Sequence, residues 1–156
     1  MQENATFEEV QGFPAGLVVG LLVFDAVVLG LVSVTTRTAE GLNLGVVALT
    51  MVLMAVPIAL VTGLRLRTAV AGGELRISLV VKRMIPLSEI ASAEVRTYSP
   101  IMEYGGWGIR WGPGGKAYNA RGNRGVQLVL RSGERVLVGS QRPEELLGAL
   151  RGAGVA

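Results

Sequence analysis

The polarity pattern changes once along this chain, and sharply. Two uninterrupted apolar runs, Phe13–Val34 and Leu42–Leu64, are joined by only Thr35–Gly41. Each is long enough to cross a bilayer's hydrocarbon core as a helix, which takes roughly 20 residues. The pattern therefore predicts a membrane helical hairpin, preceded by a tail at 1–12 and followed by one polar domain at 65–156. After Arg67 the period becomes two. Leu75, Ile77 and Leu79 alternate with Glu74, Arg76 and Ser78, and Val126, Leu128 and Leu130 with Gln127, Val129 and Arg131. Such alternation marks half-buried strands. Ser132-Gly133 reads as a turn between two of them, and Ala71-Gly-Gly-Glu74 and Arg121-Gly-Asn-Arg124 as further turns.

The predicted strands lie near 66–71, 74–81, 83–87, 92–98, 107–111, 116–119, 125–131 and 134–140. A helix is predicted over 143–152, because Pro143 suits a first turn and Glu144 and Glu145 favour its dipole. Leu146, Leu147 and Leu150 give that helix one apolar face, which needs a sheet to cover. The expected fold is thus two transmembrane helices plus a mainly-β half-barrel capped by the C-terminal helix.

Composition narrows the chemistry. The mean hydropathy of +0.48 comes almost wholly from residues 13–64. A cleaved signal peptide does not fit the first run: Glu3, Glu8 and Glu9 precede it rather than basic residues, and a second span follows at once. The chain has no Cys and no His, which removes disulfides, thiol nucleophiles, imidazole bases and nearly all zinc and iron sites. No cofactor is expected. The acids of the polar domain are scattered, and no serine has an activating motif beside it, so the chain is not expected to be an enzyme.

Residues 1–64 hold one Arg against five acids, whereas residues 65–156 hold fourteen Lys and Arg against seven acids. Arg65 and Arg67 directly follow the second span, while the connecting loop carries only Arg37 and Glu40. Positive flanks mark the cytoplasmic side. Both termini are therefore expected in the cytoplasm of a cell with the hairpin in its inner membrane. The positive charge is modest and no nucleic-acid motif is present, so nucleic acid is not an expected partner.

Within the hairpin, Gly16, Gly20 and Gly30 fall within about 80° on a helix, with Asp25 about 180° from Gly16. Gly16 and Gly20 form a small-xxx-small pair suited to close helix contact. An acid at mid-membrane is a functional candidate by default. By the mirror register of a hairpin, Asp25 is level with Thr50–Val52, so that when protonated it would reach Thr50 or the same residue in another copy. The structural alternative is a neutral acid that seals the helix pair. Pro57 is expected to bend the second span.

The segment Ile85-Pro-Leu-Ser-Glu-Ile90-Ala-Ser-Ala-Glu-Val95 resembles the strand pair of bacterial pleckstrin-homology-like domains. Gly133-Glu-Arg-Val-Leu-Val-Gly-Ser-Gln-Arg-Pro-Glu-Glu-Leu146 is similar to their last strand and capping helix. Tyr104-Gly-Gly-Trp-Gly-Ile-Arg110 and Ala117-Tyr-Asn-Ala-Arg-Gly-Asn-Arg-Gly-Val-Gln127 resemble small uncharacterised prokaryotic membrane proteins with two spans and such a domain. The resemblance covers about residues 14–152. It implies a fold and no particular activity.

Residues 103–125 are the richest in unusual chemistry. Tyr104, Trp107, Trp111, Tyr118 and Asn119 read as aromatic and polar anchors of a partner or ligand surface, with Arg110, Arg121 and Arg124 to receive anionic groups. The plainer alternative is a glycine-rich hairpin whose aromatics fill the core. Trp in the headgroup zone of the bilayer is a third. Gly112-Pro-Gly-Gly115 lacks the Lys-Ser/Thr ending of a phosphate loop. Arg65, Arg67, Lys82 and Arg83 are candidates for anionic lipid headgroups, or else topology signals and solvated strand edges. The expected work is non-catalytic: a membrane-held domain for protein–protein interaction or scaffolding, or a homo-oligomer. Headgroup sensing, or service as an accessory subunit of a transporter or membrane enzyme, are the alternatives.

Overall fold

The computed structural model describes residues 6–38 and 41–156. Two compact units result. The described residues before Phe13 join Arg65–Ala156 in one, and Phe13–Leu64 form the other. Glu3 and Glu40 lie outside the described residues.

After β1 (Phe7–Gly12), which belongs to the other unit, the chain enters the helical unit and runs through α1 (Ala15–Thr35), the two-residue strands β2 (Arg37–Thr38) and β3 (Gly41–Leu42), and α2 (Leu44–Gly63). The Asn43 side chain caps α2 by accepting from the Val46 N–H at 3.2 Å. Pro57 sits inside α2, as the sequence indicates. Both helices are long and apolar enough to cross a membrane, and neither buries a residue. Their hydroxyls turn inward. Ser33 donates to the Leu29 carbonyl at 2.7 Å, Thr50 to Val46 at 2.9 Å and Thr62 to Ile58 at 2.7 Å. Each thereby satisfies itself on its own backbone, with no need of water.

The second unit is built on two sheets. The first has the antiparallel order β1, β4 (Arg65–Ala71), β5 (Glu74–Ser78), β6 (Lys82–Pro86). A single 3₁₀ turn at Leu87–Glu89 then leads into β7 (Ile90–Thr97) of the second sheet. This sheet continues through α3 (Pro100–Tyr104), β8 (Gly108–Gly112), β9 (Gly115–Asn119), β10 (Arg124–Leu130) and β11 (Arg135–Gly139), in the spatial order β7-β10-β11-β9-β8. Only β9 and β11 run parallel within it. Helix α4 (Pro143–Gly152) follows.

One core lies between the sheets. Leu66, Leu75, Ile77 and Ile85 come from the first sheet, and Val126, Leu128, Val136 and Val138 from the second. Leu146 and Leu150 of α4 are fully buried in the same cluster, and α4 packs on strands of both sheets. A second, smaller cluster of Tyr98, Tyr104, Ala117 and Leu137 covers the other face of the second sheet. Tyr98 and Tyr104 meet there edge to face, with centroids 5.8 Å apart.

Three elements depart from the sequence reading. Residues 7–12 are an integral strand instead of a tail, pairing with β4 from Phe7↔Val70 to Gly12↔Arg65; residues 1–5 of that tail lie outside the described residues. The strand expected over 74–81 stops at Ser78, and residues 79–81 form the turn to β6. Within 103–125, α3 and the parallel β9–β11 pairing are new.

Candidate functional site

The residues of 103–125 divide by burial. Tyr104, Tyr118 and Asn119 are buried, so they serve the interior and do not line a surface. Their strand positions explain this. On β9, Tyr118 faces the main core through its pairing with Val138, while Asn119 sits at the strand's end and accepts from the Gly108 N–H at 2.9 Å. Tyr104 ends α3 and folds under Tyr98. Burial pushes the Tyr98 phenol up to about 12 and raises that of Tyr104 as well.

A polar chain holds α3 in place. Glu103 accepts from the Ser99 N–H at 2.8 Å and forms an ion pair with Arg96. Arg96 in turn donates to Gln127 at 3.0 Å, and the Gln127 amide donates to the Gly114 carbonyl at 3.1 Å. Glycine is required at this crossing. A Cβ on Gly114 would lie 2.3 Å from the Tyr104 hydroxyl, and one on Gly112 would lie 2.3 Å from the Glu103 carbonyl. These glycines thus serve close packing and do not build a phosphate loop.

What remains outside is an edge. Strand β8 ends the second sheet. Trp111 is 71% exposed there, with the Lys116 ammonium 5.2 Å from its ring centroid. Trp107 is half-buried and donates to the Gly122 carbonyl at 3.4 Å. Arg110 is exposed and fixed by donating from Nε to the Trp107 carbonyl at 3.1 Å. On α3, which packs against β8, Met102 is 86% exposed and Ile101 63%. Arg124 lies elsewhere: it pairs with Glu144 on α4, and that hydrogen bond holds the Glu144 carboxyl below its usual range.

Arg121 belongs to a cleft of about 320 Å³ lined by Glu8–Gly12, Gln141 and Arg142. The sequence gives no sign of it because its wall is β1. Glu9 and Gln11 point inward on that strand. Glu9 accepts from the Ser140 hydroxyl at 2.6 Å and the Gln141 N–H at 2.8 Å, and Gln11 donates to the Gly139 carbonyl at 2.9 Å.

The cationic group also divides. Arg83 is bound in both directions by Glu134, at 2.8 and 2.7 Å, which removes it from a headgroup set. This bond raises the Arg83 pKa further and holds the Glu134 carboxyl below its usual range. Arg67 and Lys82 stay exposed on the outer face of the first sheet, as does Arg65.

In the helical unit, the glycine face does not make the helix contact. Gly16, Gly20 and Gly30 have no neighbour within 4 Å of a Cβ position. The Asp25 side packs instead. Val18, Leu21, Asp25, Val28 and Val32 are half-buried at alternating three- and four-residue spacing, and Val47, Thr50, Met54 and Ile58 opposite are half-buried at spacings of three, four and four. This turns the one acid away from the helix surroundings. Asp25 lines an apolar groove of about 240 Å³ with Leu22, Ala26, Leu29, Met51, Met54, Ala55 and Ile58. The Thr50 hydroxyl donates to the Val46 carbonyl, and no hydrogen bond joins it to Asp25.

No protein-family model, no curated protein and no solved structure matches the chain. The class defined so far is therefore structural: a two-sheet β unit, closed by a helix and interrupted after its first strand by a pair of long apolar helices.

Proposed function

We propose that this is a non-catalytic integral membrane protein. Its two helices cross the cytoplasmic membrane, and its pleckstrin-homology-like β unit docks a protein partner at the cytoplasmic face. The observation that carries the docking is the β8 edge, where Arg110 and Trp111 stand exposed on opposite faces of the strand and the adjoining α3 exposes Met102 and Ile101. Trp and Arg dominate binding hot spots, and an unpaired edge strand offers backbone donors and acceptors as well. The two sheets around one core, closed by α4, support the pleckstrin-homology-like reading. The pairing of Gly12 with Arg65 supports an even number of crossings, because the strands that flank the helices are neighbours in one sheet. Tethering supplies local concentration, so the intrinsic affinity for the partner can be low.

The test is a photo-crosslinking amino acid placed at Trp111, at Met102 and, as a control, at the exposed turn residue Ser132, in native membranes. One discrete second chain captured at 111 and 102 but not at 132 is the expected outcome. No adduct, or the same adducts at all three sites, contradicts docking at this edge.

A second reading, attraction to anionic headgroups, is favoured by the exposed Arg67 and Lys82.

A further inference from the structure

The β5–β6 turn carries an unusual surface. Leu79 is rooted against the main core, while Val80 is 70% and Val81 64% exposed. Its position follows from register. Arg67 of β4 pairs with Ser78 of β5, and Ser78 with Lys82 of β6. Residues 79–81 therefore project past the level of Arg67 toward that of Arg65. Arg65 is one residue beyond Leu64, the C-cap of α2, and it pairs with Gly12, from which the chain leaves for α1. Both connections to the apolar helices thus start from the same end of the first sheet as the Val80-Val81 tip.

The row behind the tip is cationic. Val10, Arg67, Ser78 and Lys82 lie side by side across four strands. They face outward, because their neighbours Leu66, Thr68 and Ile77 are buried. Arg83, adjacent in sequence, is neutralised by Glu134, so the row's charge comes from Arg67 and Lys82. The nearest outward acid on these strands is Glu8, opposite Ala69 and one outward rung farther from the tip. Two apolar side chains at a tip with cations immediately behind them match the cross-section of an anionic membrane surface, apolar beneath and phosphate-bearing above.

We propose that Val80 and Val81 insert into the bilayer that the helices cross, with Lys82 and Arg67 on its anionic headgroups. The β unit is then held at three points, the two chain connections and this tip. The inference rests on the membrane-spanning reading of α1 and α2.

The chain has no cysteine, so single labels are unambiguous. The full-length protein, as V81C, V27C or M102C, carries an environment-sensitive fluorophore in vesicles of phosphatidylcholine and phosphatidylglycerol. Quenching by lipids brominated on their acyl chains reads insertion. All three positions are exposed, so the label fits without repacking. The expected result is strong loss of signal at 27 on α1 and at 81, and little at 102. Quenching at 27 with a response at 81 no greater than at 102 overturns the tip while leaving the spanning helices intact. No quenching at 27 overturns the spanning reading and the tip with it. Combining V81C with Arg67→Gln and Lys82→Gln, or using phosphatidylcholine alone, is expected to reduce quenching at 81. Unchanged quenching in both conditions overturns the role of the cations.

Discussion

Valine and leucine are placed in opposite ways in the two units. On α1 and α2, Val34 is 70% and Leu44 71% exposed, and no residue of either helix is buried. In the β unit Val126 and Leu128 have no exposure at all. The same side chains obey the same drive to leave water. The difference teaches that the helical unit carries its apolar side chains on the outside, as the proposed bilayer crossing requires. The β unit carries its own apolar solvent in the core between its sheets. Asp25 follows the same logic in reverse: on a helix that turns apolar groups outward, the acid is turned inward, against α2.

The largest effect that sharpens this contrast is in the core. Leu128→Ala should destabilise the β unit by about 2–5 kcal/mol through lost burial and a residual cavity. Denaturant unfolding of the reconstituted protein measures it, and helix integration should be unaffected. Next is Leu53→Lys, in the middle of α2. A lysine there should cost about 2.5–3.5 kcal/mol of membrane integration, read as loss of the membrane-integrated fraction. Met102→Lys, at a still more exposed position of the β unit, should change neither stability nor integration. Equal tolerance of both lysines would break the contrast.

Smaller is Glu9→Ala. It leaves the Ser140 hydroxyl and the Gln141 N–H without their acceptor and loosens β1, at about 1–3 kcal/mol. Hydrogen exchange along β1 and β4 should rise first. The smallest effect is acid sensitivity. Because the Arg83 hydrogen bonds hold the Glu134 carboxyl below its ordinary 4.5, the pair's stabilisation is complete above that value. It is lost as pH falls through the depressed value. Both side chains are partly in solvent, so the contribution is about 1 kcal/mol or less. Arg83→Gln should flatten that part of the stability–pH curve.

Legibility in the sequence followed the strength of each local signal. The apolar runs are long enough that little else is compatible with them. Strand β5 alternates cleanly because it turns one face to a single core, whereas β10 and β11 are buried on both faces and show the main core only through every second residue, Val126 and Leu128, Val136 and Val138. Strand β1 has no such alternation: its inward positions after Phe7 are Glu9 and Gln11, which bond to backbone or side chains at 139–141 rather than pack. Helix α3 is too short for any period to be seen. Tyr104, Tyr118 and Trp111 look alike in sequence. Only the two buried faces of the second sheet separate the interior rings from the exposed one. Arg83 resembles its neighbour Lys82 until the partner 51 residues away is known.

The crossing of the membrane is tested most directly by single cysteines at Arg37, in the connection between the helices, and at Glu8 and Ser132 in the β unit. Each is treated with a membrane-impermeant maleimide in sealed membranes of known orientation. Labelling of 37 from one side, and of 8 and 132 together from the other, is the predicted result. Labelling of all three from the same side would contradict a helix pair that spans the bilayer.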